Sequence, residues 1–179
     1  MRKICLRAVI TLLLIAANTS VLAQMPWELP DNPFDDLVRK GIVVPLNTDE
    51  KMLVKKLGQP ISIERTKVKN EYYNFDDLVV TYRYPGLEIS YYHHMHPQHG
   101  WKGIARIQVT SNEHPIEHGI YIGMPLSEIN EKFGPLPDTK WEANGLLFIS
   151  YEPWDAVHEQ IVFVLKDNVL TKFVWSNWP

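Results

Sequence analysis

Ile122-Gly123-Met124-Pro125-Leu126-Ser127-Glu128-Ile129, closing at Phe133-Gly134-Pro135, is the stretch around which this chain organises itself. Pro125 supplies a pre-set helical φ at a first-turn position. Leu126, Ile129 and Phe133 recur at helical spacing and predict one apolar stripe. Gly134-Pro135 stops the helix. Four strand candidates follow at 138–143, 146–151, 159–165 and 169–176. Asn144-Gly145 and Asp167-Asn168 are the residue pairs that tight hairpin turns demand.

The same order occurs earlier in the chain. Asn47 is placed to cap a helix over 47–57, with Glu50 three residues on. Leu53, Val54 and Leu57 share one face, Gly58 stops the helix and Pro60 follows. Strand candidates then run over 61–69, 78–84, 87–93 and 103–111, with Pro85-Gly86 as the turn between the second and third. Setting Leu57-Gly58 on Phe133-Gly134 pairs Leu53 with Ile129. Each half therefore reads as a helix followed by a four-stranded meander, over 43–114 and 115–179, with the boundary near 112–119. The expected fold is α+β: two tandem helix-plus-meander units forming an antiparallel sheet, with helices packed on one face.

Residues 1–23 read as a secretory signal peptide. Arg2, Lys3 and Arg7 precede an apolar run over 8–17, and Val21-Leu22-Ala23 fits a cleavage site. That run is too short for a bilayer, which needs about 20 apolar residues. Residues 24–42 read as an extended arm with Pro26, Pro30, Pro33, Trp27 and Phe34, then a short helix over 35–40 before Gly41. The expected location is periplasmic or secreted. Cleavage after Ala23 would remove Cys5, the sole cysteine, and take the formal charge from −3 to −6. The mature chain would then have no disulfide and no thiol nucleophile. With no basic excess, the composition does not suggest nucleic acid.

The phrase 122–129 with Phe133-Gly134-Pro135 resembles the helix signature of the beta-lactamase-inhibitor-protein-like superfamily, over roughly residues 43–178. That superfamily also contains small outer-membrane assembly lipoproteins. The first half departs from the signature: Thr48 stands where Met124 stands, and the preceding glycine is missing. There is also no cysteine at the cleavage site to carry a lipid. The resemblance implies helix-plus-meander units and a habit of binding other proteins.

Three features bear on function. The densest is Tyr91-Tyr92-His93-His94-Met95-His96-Pro97-Gln98-His99-Gly100-Trp101, where the second half has only Lys166-Asp167-Asn168. Imidazoles suit zinc or copper. His94, His96 and His99 are the candidate ligands for one weakly held ion, with His94 and His96 sharing a strand face. The alternatives are a partner-contacting loop and a plain polar loop. His114 and His118 form a second pair, with the i, i+4 spacing that suits a metal only on a helix; they read better as part of the linker between the halves. The third feature is aromatic. Tyr82 and Tyr84 share one strand face and Tyr91 shares one with Ile89, while the second half is apolar on both faces, with Leu146 and Phe148 on one and Leu147 and Ile149 on the other. Either the aromatic residues are core, or Tyr82, Tyr84, Tyr91, Trp101 and Trp154 line a concave partner-binding face.

No phosphate loop or nucleophile elbow is present. The acid pairs Asp35-Asp36, Asp49-Glu50 and Asp76-Asp77 sit at expected caps and turns. The expectation is a non-enzymatic, exported protein-binding module with no required cofactor. It would be an inhibitor or immunity-type protein bound to an exported enzyme or toxin. The alternatives are an envelope-assembly factor and a periplasmic metal-binding protein using the 93–99 hairpin.

Overall fold

The computed structural model describes Leu37 and residues 42–134, 139–152 and 159–177. The expected signal segment, almost all of the arm, and Trp154 lie outside the described residues. Of the expected helix over 35–40, Leu37 alone is described; it is helical and fully buried.

Eight strands make one antiparallel sheet: β1 (Ser62–Lys69), β2 (Asp76–Tyr84), β3 (Leu87–His94), β4 (Trp101–Val109), β5 (Lys140–Ala143), β6 (Leu146–Tyr151), β7 (Glu159–Lys166) and β8 (Val169–Asn177). Their spatial order is β1-β2-β3-β4-β8-β7-β6-β5. Two hairpin ladders therefore meet through their last strands, in a seam running from Arg106↔Ser176 to Val109↔Phe173. Besides helical Leu37, the α-helices among the described residues are α1 (Glu50–Leu57) and α2 (Leu126–Phe133). The architecture is thus α+β with an antiparallel sheet. Among the described residues no helix is long and apolar enough to cross a membrane.

The turns follow their chemistry. Asn144 and Gly145 take φ of 53° and 73°, and Asp167 and Asn168 take 52° and 61°, in the left-handed region that two-residue hairpins require. Gly86 at φ 66° closes β2–β3, and a Cβ there would lie 1.9 Å from the Ser111 Oγ.

Each helix buries one residue completely, Leu53 in α1 and Ile129 in α2, against a core that includes Ile89, Ile107, Phe163, Phe173 and Trp175. Full burial of such a side chain is worth about 1.5–3 kcal/mol. Gly58 and Gly134 end the two helices at φ 84° and 79°. The cap of α1 differs from the sequence expectation. Asp49, not Asn47, accepts the Met52 amide at 2.7 Å. Asn47 lies inside a turn closed by the Thr48 amide on the Pro45 carbonyl, so the helix starts two residues later. Pro125 is likewise the cap of α2 rather than a residue within its first turn.

Two bulges keep the apolar residues in phase. Opposite β3 the register passes from Tyr91↔Ile104 to Ser90↔Arg106, leaving Ala105 extra. Opposite β7 it passes from Leu165↔Leu170 to Val164↔Lys172, leaving Thr171 extra. A strand has period two, so Ile104 and Ile107 could not both face the core without an extra residue between them. The same holds for Leu170 and Phe173. Between the linker and α2, Asn112 uses its side-chain amide as a strand would. Its Nδ2 donates to the Ile122 carbonyl at 2.8 Å, and its Oδ1 accepts the Ile122 amide at 2.7 Å.

Candidate functional site

At the base of the extended β3–β4 hairpin a carboxylate stands on each side of the sheet, Asp77 from β2 and Glu50 from α1. Alternation along β2 puts Leu78, Val80 and Tyr82 on the helix side and Asp77, Val79 and Thr81 on the opposite side, called here the far face. Asp77 is completely buried. Its Oδ2 accepts from the Tyr92 hydroxyl and from Asn70 Nδ2, the latter at 2.6 Å. Its Oδ1 accepts the Met95 amide at 2.8 Å and faces His94 Nδ1 at 3.2 Å. Burial alone would push this carboxyl up. The four donors outweigh it, Tyr92 foremost, and hold the pKa at about 2. A carboxylate only accepts, so His94 Nδ1 is the donor in this contact.

On the helix side Glu50 has the matching position. Its Oε1 accepts the Tyr82 hydroxyl at 3.1 Å and lies 3.4 Å from His93 Nε2; its Oε2 accepts from Lys102 Nζ at 3.4 Å. Burial and the Glu50 charge push Tyr82 up to about 12.

Above Asp77 the rings assemble. Tyr73 and Phe75 stack at 5.3 Å, and both pack on His94 and His96 at 5.2–5.7 Å. His94 stacks on His96 at 5.9 Å, and His96 on His99 at 5.1 Å. Trp101 leans on Tyr92 at 5.5 Å. Asn70 brings the β1–β2 loop into place: its Oδ1 accepts the Tyr72 amide at 3.0 Å while its Nδ2 holds Asp77. Tyr72, Tyr73, Met95 and Trp101 are exposed at the rim, at 93%, 50%, 52% and 50%. The result is a ring cluster with a buried anion beneath it and a solvent-facing apolar rim.

The structure divides the expected partner-binding residues. Tyr82, Tyr84 and Tyr91 are buried and belong to the core under α1, not to an exposed face. Their hydroxyls reach Glu50, the Gly58 carbonyl at 3.4 Å and the Thr48 carbonyl at 2.9 Å, so residues 48–58 satisfy each polar tip. Trp101 alone of the described members faces solvent. His94, His96 and His99 do come together, but as a stack. β3 ends at His94, so His96 sits in the turn and not on a shared strand face. His96 Nδ1 accepts the Gln98 and His99 amides at 3.2 and 3.1 Å. Among the described residues no three His, Cys, Asp or Glu side chains are grouped to hold a metal. His114 precedes a 3₁₀ turn (Glu117–Gly119) and His118 lies inside it, and His114 packs on Tyr84 at 6.2 Å.

Sequence reasoning missed Asp77, Tyr73 and Phe75. Asp77 is a strand residue, not a turn acid. Carrying the β2 alternation back past Leu78 would have placed it on the far face. The run Glu71-Tyr72-Tyr73-Asn74-Phe75, three aromatic residues in a short connection, was the other available signal.

No protein-family model matches the chain, and no curated protein matches it. Among solved structures, an extracellular protein containing an SCP domain from Bacillus anthracis str. Ames aligns at 10% identity with a TM-score of 0.41. The alignment covers 86% of this chain and 49% of that one, so the chain spans about half its length. A likeness at this level carries no argument about fold or function.

Proposed function

We propose that this chain is an exported protein-binding module, an inhibitor or immunity-type protein whose partner is an exported enzyme or toxin. The observation that carries the reading is the solvent-facing rim of Tyr73, Met95 and Trp101 over the buried Asp77. Aromatic residues and methionine are the usual anchors of a protein interface, and a rim held from below loses little freedom on binding.

The reading includes a tandem repeat of the kind found in the beta-lactamase-inhibitor-protein-like superfamily. The two bulges support it. Aligning Ala105 with Thr171 matches Ile104, Ile107 and Val109 to Leu170, Phe173 and Trp175. Their partners Tyr91, Ile89 and Leu87 then match Leu165, Phe163 and Ile161. Between Tyr91 and Ile104 lie twelve residues, and between Leu165 and Leu170 only four. In this alignment the ring cluster sits on the element that one unit has and the other lacks.

The test is affinity capture from envelope and culture fractions with the unchanged chain, Trp101→Ala and Tyr73→Ala. The expected result is a partner whose activity is blocked, retained by the unchanged chain and lost with either variant. Equal retention by all three would refute the reading. A metal-carrying role has one observation in its favour, the His94 ring oriented through Nδ1 by Asp77, an arrangement common behind metal-bound histidines. Calorimetry with zinc and with copper on the chain and on His94→Gln tests it; no heat from either metal removes it.

A further inference from the structure

We propose that β1 is a docking rail for an extended acidic segment of the partner, which adds to the sheet as a ninth strand. This rests on the protein-binding reading and names the chemistry of what binds.

All eight residues of β1 are exposed, and among the described residues β1 pairs on one side only. The register shows which backbone groups are free. Asn70 donates to the Phe75 carbonyl, and counting back in twos puts Val68, Thr66, Glu64 and Ser62 in the hydrogen-bonded rungs with β2. Ile63, Arg65, Lys67 and Lys69 therefore turn their N–H and C=O groups outward. Their side chains stand on the helix side, opposite Tyr82, Val80, Leu78 and Asp76.

The charge on that side is one-signed along the strand. Arg65, Lys67 and Lys69 have no ion pair among the described residues, although Lys69 faces Asp76 across the rung. The acid of β1, Glu64, is on the far face and is neutralised by Arg83 at 2.7 Å. A second copy of β1 laid antiparallel would set Arg and Lys against Arg and Lys, which is unfavourable. An incoming strand with acids at alternate positions would place every one of them beside this basic row. Such strand addition draws affinity from main-chain hydrogen bonds and specificity from alternate side chains. The opposite edge, β5, is only four residues long. β1 leads directly into the loop that carries Tyr72 and Tyr73, with the basic row on the helix side of the sheet and the ring cluster on the far face.

The experiment titrates the isotope-labelled full chain with a short capped peptide alternating glutamate and valine. The amide signals of Ile63, Arg65, Lys67 and Lys69 are expected to shift and gain protection from exchange. The double variant Arg65→Glu/Lys67→Glu is expected to bind about tenfold more weakly, because two attractive cross-strand charge pairs become repulsive. Lys67→Pro removes one outward N–H without touching a rung to β2 and is expected to weaken binding without the charge change. If one variant fails to fold, the other decides. Equal binding of a lysine–valine peptide, undiminished binding by the double variant, or shifts confined to other strands would overturn the rail. The peptide assay does not use Tyr73 or Trp101, so its failure is separate from failure of the capture experiment.

Discussion

Asp77 determines the behaviour of the hairpin base. Its carboxyl is held at about 2 against an ordinary 3.8, so ionisation contributes about 2 kcal/mol to folding. A depressed carboxyl stabilises fully above its unfolded value and loses that stabilisation as pH falls through the folded one. Chemical denaturation as a function of pH is therefore expected to show stability dropping between about pH 4 and pH 2. Asp77→Asn should flatten that drop. At neutral pH it should cost about 2–3 kcal/mol, because at least one of the donors then lacks an acceptor. A variant whose acid limb matches the parent would contradict this assignment. Asp77 was hidden in the sequence because an acid beside a turn has an ordinary explanation, and its donors come from 70 and 92–95. The core placement of Tyr82, Tyr84 and Tyr91 was hidden similarly: only residues 48–58, distant in the chain, supply their acceptors. Tyr91→Phe is expected to cost about 1 kcal/mol in the same measurement, through the lost bond to the Thr48 carbonyl.

Helices and hairpins were far more legible. All eight strands fall within a few residues of their expected positions, because turn residues and period-two alternation are local signals. The bulges were not legible. Ile104-Ala105-Arg106-Ile107 reads as continuous strand until the partner's register is known. The start of α1 slipped from Asn47 to Asp49 because two capping residues lie close together and the Pro45–Thr48 turn takes the first. Asp49→Ala should cost about 1 kcal/mol. The two helix stops give a sharper test of likeness between the halves. Gly58 and Gly134 both have positive φ, and an added Cβ would meet nothing within 4 Å at either. Alanine at either site is therefore strained by conformation alone, at about 1 kcal/mol. Thermal denaturation should show equal losses for Gly58→Ala and Gly134→Ala, and a large inequality would count against equivalent roles.

At the scale of the molecule, the sheet order explains which expectations the sequence supported. The pairings β2–β3, β5–β6 and β7–β8 were readable from the turns at Pro85-Gly86, Asn144-Gly145 and Asp167-Asn168. The seam between β4 and β8 was not, because it joins residues 64 to 70 positions apart. Nothing local in Arg106–Val109 distinguishes a sheet centre from a sheet edge. This seam makes one continuous core from residues as distant as Leu53 and Trp175. Leu53→Ala, beneath α1, is expected to cost about 2–5 kcal/mol and to lower the single unfolding transition of the whole described sheet.

That seam also bears on how the chain survives its own synthesis. Until β8 emerges, β4 is the open border of a nearly finished meander, and it presents Ile104, Ile107 and Val109 rather than the lysines that guard β1. Incomplete chains ending at Lys166 should therefore self-associate, with light scattering rising steeply with concentration, while the full chain stays dispersed. β8, made after the whole first half, is the strand that shields that half from its neighbours in a crowded compartment.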